Sequence, residues 1–166
     1  MLIYVIIHKE NRDKDKEWNM NKEETLQTIR DARDAHISQM NKIEALLNGE
    51  EVENPTAVAC TECAFGLWLY NKNNRVEAII GEQFYRQIEL LHTKWHGEYS
   101  RIFDIFFKNR KKGFFAKVLG LSKIEEKEFD KAKLYYSELK ETTEELLRIL
   151  GSSQRRISAL NESKFF

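Results

Sequence analysis

One proline and seven glycines in 166 residues leave little of the punctuation that turn-rich β folds need. Strand-like alternation is equally scarce, so the chain is expected to be helical nearly throughout. An excess of either charge is also missing. Lys+Arg and Asp+Glu number 27 each, which removes any bulk field for nucleic acid or an anionic membrane. There are only two cysteines, Cys60 and Cys63, three positions apart. They are too few and too close for a secreted disulfide framework, and they point to a reducing compartment with metal or redox chemistry. Long apolar runs are absent. The stretch Leu2 to Ile7 is far too short to span a bilayer and lacks the basic flank and small-residue cleavage site of a signal peptide. A soluble, cytoplasmic protein without membrane insertion is the expectation.

What is present is ordinary in bulk: 42% apolar and 33% charged residues, enough for one domain with a genuine core. Residues 1–20 read as a tail, an apolar lead followed by the charged stretch Lys9 to Trp18, with His8 solvated. From about Asn21 to Leu47 the residues Ile29, Ala32, His36, Met40, Ile43 and Leu47 recur at steps of three and four, and Asn48-Gly49 supplies a stop. His36 lies within that apolar stripe. A second, shorter helix is predicted from about Thr56 or Ala57 to Tyr70, carrying Cys60, Cys63, Gly66 and Leu67. Gly66, without a Cβ, lets a neighbouring backbone approach the Cys63 sulfur.

The third helix can be placed by length. At about 1.5 Å per residue, a start near Val76 carries His92 well past the level of Cys63, whereas a start near Glu82 brings the two within a turn. Residues 71–81 are therefore predicted as loop or irregular turn, and the third helix as running from about Glu82 to Lys108 or beyond. Lys108, Arg110, Lys111 and Lys112 complement the dipole at its end. Phe114 to Leu119 suggest a connector. Ser122 and Glu125 form a capping-box pattern before a fourth helix with the seam Phe129, Ala132, Tyr136, Leu139, Thr143, Leu146 and Leu150. The seam continues past Gly151 to Leu160, and 161–166 read as a tail. The fold class is all-α: an antiparallel four-helix bundle over 21–160, with a short Cys-bearing second helix and a connector before the fourth.

Such a bundle brings four donors to one level. His92 and His96 share a face of the third helix, because residues four apart lie one above the other. His36 faces inward from the first helix and Cys63 from the second. Three imidazoles and one thiolate suit tetrahedral Zn²⁺ and leave no position for water, which favours a structural or sensing site over hydrolysis. No dedicated general base is near, since Glu62 points about 100° away from Cys63 on a helix. No catalytic residues and no enzyme activity are expected. Trp68 and Trp95 are expected to pack around the site, with Asp34, Glu89 or backbone carbonyls orienting the imidazoles.

The run Cys63-Ala64-Phe65-Gly66-Leu67-Trp68-Leu69-Tyr70 resembles the Cys-x-Phe-Gly-x-Trp signature of the chemoreceptor zinc-binding (CZB) domain. That family has an upstream His on its first helix and a His-x-x-x-His downstream, matched here by His36 and by His92 and His96. The resemblance spans about residues 25–155. Gln39 and Met40 stand where an aromatic often follows the first His, and the stretch from Phe103 to Lys131 is longer than in the family.

The resemblance implies a cytoplasmic zinc-dependent sensor in bacterial signal transduction, of the chemotaxis or cyclic-di-GMP type. Bound zinc, or oxidation of the zinc-bound Cys63 by oxidants such as hypochlorite, would change its output. Phe65, Gly66, Trp68 and Trp95 are the expected packing residues. Separately from the family, Cys60 stands one turn from Cys63 and reads as a small buried apolar residue or as a resolving thiol, the latter requiring local unwinding. The expected partners are a second copy of the chain and a chemoreceptor, cyclase or other signalling protein. A hemerythrin-like metal-binding bundle is the alternative but needs more inward imidazoles and bridging carboxylates. A dithiol redox protein built on Cys60 and Cys63 lacks the βαβ pattern around it.

Overall fold

The computed structural model describes residues 21–50, 52, 56–108 and 125–165. The expectations for the tail 1–20, for Arg110 to Lys112, for the connector at 114–119 and for a cap at Ser122 lie outside those residues. Among the described residues every regular element is helical, and five α-helices pack together. They are α1 (Lys22–Leu47), α2 (Ala64–Leu69), α3 (Val76–Ile80), α4 (Glu82–Phe103) and α5 (Glu126–Ala159).

Helix α1 starts where Asn21 turns its side chain to accept the Glu24 N–H at 2.8 Å, and Glu23 and Glu24 favour the positive end of the dipole. It ends as its sequence predicts. Asn48 is the C-cap, and Gly49 takes φ +82°, the left-handed conformation that costs glycine least. The buried face is the predicted stripe, except that Leu46 rather than Leu47 is deeply buried at its end. Helix α4 begins at Glu82 and passes into a π-helical turn over Asp104–Lys108. Helix α5 runs unbroken through Gly151, so the seam on its inner face outweighs the roughly 1 kcal/mol that glycine costs in a helix.

Both α1 and α4 pack on α5. Trp95 Nε1 donates to Thr143 Oγ1 at 2.8 Å, Arg101 pairs with Glu138 at 3.0 Å, and the Arg156 guanidinium lies over the Phe84 ring. As numbers rise along α4 they fall along α5, so the two run in opposite senses. The same holds for α1, where Lys22 Nζ donates to Leu160 O and Arg33 to Gln154. The Trp95–Thr143 bond is buried on both sides. Thr143→Val is expected to strand the indole N–H and lower stability by about 1–3 kcal/mol, read from the denaturant midpoint at unchanged m-value.

Two sequence-based expectations are corrected. Residues 56–63 are not the first half of a helix; they form a chain of bends and turns, and α2 holds only Ala64–Leu69. The reason is visible in the carbonyls. Tyr99 Oη donates to Thr56 O at 3.3 Å and His96 Nδ1 faces Val58 O at 2.9 Å, so both acceptors are drawn away from a helical ladder. Residues 71–81, predicted as loop, hold a 3₁₀ turn at Lys72–Asn74 and then α3. Val76, Ile79 and Ile80 anchor that short helix in the core, and Gly81 at φ +89° ends it before α4 starts.

Candidate metal centre

His92 and His96 come to the core on successive turns of α4, and His36 faces them from α1. The His36 and His92 rings are 5.5 Å apart between centroids, His92 and His96 4.7 Å, and His36 and His96 6.4 Å. One nitrogen of each ring lies within 4.8 Å of one from each of the others. The fourth candidate, Cys63, reaches the same place from the turn before α2. Its Sγ is 3.3 Å from His92 Nε2. Two ligands of one tetrahedral zinc, with bonds of about 2.0–2.3 Å, stand roughly 3.5 Å apart, so this spacing fits a shared ion.

All four side chains are buried; His92 has no exposed surface. Burial holds all three imidazoles neutral. It lowers His36 to about 4, with the His96 ring adding to the shift and the Ala32 hydrogen bond opposing it. His92 drops to about 2, again mainly through burial and then through His96 and His36. His96 is lowered by burial against the opposing Val58 bond. Burial raises the Cys63 thiol, while the N–H groups of Gly66 and Phe65 pull the other way. Protein groups alone thus favour neutral rings and a protonated sulfur. A bound cation reverses the preference at sulfur and uses the neutral rings as they stand.

The tautomers are set by backbone. His36 Nδ1 faces Ala32 O at 2.6 Å and His96 Nδ1 faces Val58 O. A carbonyl only accepts, so each Nδ1 carries the proton and each Nε2 keeps its lone pair. His96 Nε2 is buried with no hydrogen-bond partner, a cost that a metal bond removes. Tyr70 Oη lies 3.5 Å from His92 Nδ1 and 3.4 Å from Thr93 Oγ1. Of the expected alternatives it is backbone carbonyls, not Asp34 or Glu89, that face these rings, and a phenol joins them. Tyr70 was missed as an orienting group, although it closes the Cys63–Tyr70 run. Gln39, noted only as a departure from the family, accepts from the Thr56 N–H and ties the turn to α1.

The Cys63 side chain also caps α2, accepting the Gly66 N–H at 3.2 Å. Gly66 permits a close approach, but the backbone it admits is that of Cys60. A Cβ built on Gly66 would lie 1.7 Å from Cys60 O and 3.4 Å from Cys63 Sγ. Trp95 meets the His36 and His96 rings edge-on at 4.7 and 5.0 Å, and Phe65 meets His92 at 5.1 Å. Trp68 stacks on Phe65 from behind, so of the expected packing residues it alone acts through another side chain. Cys60 is a half-buried free thiol.

Residues 36–103 match the family model of the chemoreceptor zinc-binding domain. The match begins at His36 itself and stops at the end of α4, so α5 and the whole first half of α1 lie outside it. No curated protein and no solved structure matches the chain. Among the described residues no helix is long and apolar enough to cross a membrane. Neutral buried imidazoles, a sulfur beside them and a lone pair without a partner fit a zinc site, and the stretch from His36 to Phe103 is similar to the chemoreceptor zinc-binding domain.

Proposed function

We propose that His36, Cys63, His92 and His96 hold one zinc ion as a closed His₃Cys centre in a sensory module, and that Cys63 is the group through which a signal is read. The observation that carries the ligand set is the 3.3 Å spacing of Cys63 Sγ and His92 Nε2 beside the unpartnered Nε2 of His96. The module is the unit from residue 21 to 160, an antiparallel bundle in which α2 and α3 take the place of one short helix. With four protein donors the zinc has no site left for water, so the role is regulatory rather than catalytic.

Zinc keeps the sulfur as a thiolate, the form that reacts with oxidants. Hypochlorous acid would transfer oxygen to it and leave as chloride, forming a sulfenic acid, a poorer ligand. The turn 56–63 and α2 are then released from the metal, which gives signalling a two-state element. Cys60 would trap that state by attacking the sulfenic sulfur and expelling water, forming a disulfide. The setting is cytoplasmic, in a homodimer that reports to a chemoreceptor, a cyclase or another signalling protein.

Elemental analysis tests the centre. The purified chain is expected to carry about one zinc, and Cys63→Ala or His92→Ala to lose most of it, since removing a donor costs more than the roughly 10- to 100-fold lost with a group that merely orients one. Undiminished zinc in both variants would sink the assignment. Two irons per chain would instead support the hemerythrin-like alternative.

A further inference from the structure

A cavity of about 460 Å³ lies between α1, the turn 56–63, α2 and α4, and the candidate centre forms its floor. His36, Cys63 and His96 line its inner end, whereas Asp31, Ala35 and Glu62 line it and are exposed to solvent. The rest of the wall is mostly alanine and aromatic surface. Among the described residues no lysine or arginine lines it. The space therefore leads from solvent to the sulfur past two carboxylates. One zinc with one thiolate leaves a single positive charge at the floor, which the two rim carboxylates exceed.

The geometry points to this cavity as a docking recess for small uncharged electrophiles that react at Cys63, with Asp31 and Glu62 holding anions away. This rests on Cys63 being a zinc thiolate, and it adds a selectivity which that reading alone does not contain. Apolar walls favour a neutral molecule over an ion that must shed its water, and like-signed charge at the mouth of a cleft with apolar walls lowers the local concentration of anions. Oxidants acting at this centre are thereby sorted by charge, the neutral acid entering ahead of its anion.

Iodoacetamide and iodoacetate test this directly, because they differ in charge and little in size. In either reaction the Cys63 sulfur forms a bond to the methylene carbon as the carbon–iodine bond breaks and iodide leaves with the electron pair. Zinc-loaded Cys60→Ser protein, with one thiol left, is treated with each reagent and followed by intact mass. The preference for the amide is expected to exceed that of a small free thiol by about five- to tenfold at low salt, and to shrink as salt screens the rim. In the Asp31→Asn, Glu62→Gln double variant it is expected to fall to within about twofold of the free thiol. Ala35→Trp, at an exposed helix position on the mouth, is expected to slow both reagents about tenfold at unchanged zinc content.

A preference equal to the free thiol's overturns the proposal. So does an Ala35→Trp protein that reacts as fast as its parent. Zinc content measured on the same samples keeps the two readings apart. Normal zinc with no charge preference defeats the recess alone; zinc retained in full after Cys63 is alkylated defeats the centre.

Discussion

Replacing Gly66 by alanine is expected to cost the fold about 3 kcal/mol or more and to weaken zinc binding at the same time. The new methyl would sit 1.7 Å from Cys60 O, a backbone atom, and 3.4 Å from the Cys63 sulfur. A flexible side-chain end could swing aside, but a carbonyl in a tight turn moves only if the turn moves. That turn carries Cys63, whose sulfur also accepts the Gly66 N–H. Stability and metal affinity should therefore fall together, read from a denaturant titration and from competition with a zinc chelator. Gly97→Ala is the matching control. Gly97 lies inside α4, and a Cβ added there would meet nothing within 4 Å, so alanine is expected to add up to about 1 kcal/mol. Two glycine substitutions of opposite sign isolate the close approach from helix propensity. A loss at Gly66 smaller than about 1 kcal/mol would mean that the turn yields easily.

The second large effect is acid lability of the zinc-free protein. Its three buried imidazoles have folded pKa values below the unfolded value of 6.5, with His36 near 4 and His92 near 2. The unfolded chain then binds more protons as pH falls below 6.5, so stability drops with pH. Each such group contributes a slope of about 1.4 kcal/mol per pH unit, and His36 alone costs roughly 3 kcal/mol by pH 4. For a domain stable by about 5–15 kcal/mol, three together are enough to unfold it. At the other end, Cys63 is raised above its ordinary 9.0. Its contribution is present below pH 9 and is lost as pH rises through the folded value. The zinc-free chain should be most stable between about pH 6.5 and 9, and zinc should move the acid transition lower because it binds only the folded form. Denaturant midpoints followed by circular dichroism at pH values from 8 to 4, with and without zinc, measure both. A midpoint unchanged between pH 7 and 5 in the zinc-free chain would contradict neutral buried histidines.

Helix α1 was legible almost residue by residue, since a stripe at steps of three and four and Asn48-Gly49 are local signals; the cap at Asn21 is as local but entered the reading only as an approximate start. The start of α4 at Glu82 followed from helix length, although the ruler assumed a helix over 56–70 that is not there. Gly81 alone would have marked the spot. The turn 56–63 was misread for a physical reason. Its own residues allow a helix, and what prevents one is the imidazole of His96 and the phenol of Tyr99, which are some forty positions away and claim its carbonyls. Short α3 escaped because five residues give periodicity too little room. The four candidate ligands were readable because cysteine and histidine announce themselves, whereas the carbonyls that fix the tautomers of His36 and His96 belong to Ala32 and Val58, which carry no such signal.

The proposed donors number four, but the bodies that carry them number three, because His92 and His96 ride on one 22-residue helix. Any tilt of α4 displaces both imidazoles together, so the pair behaves as one rigid leg of a tripod. The second leg is α1, a 26-residue helix packed on the same α5. Only the third, the Cys63 turn, stands on a six-residue helix and a strip of non-helical chain. In mechanical terms the compliance of the centre is concentrated at one foot, and a strain applied anywhere in the module will be taken up there first.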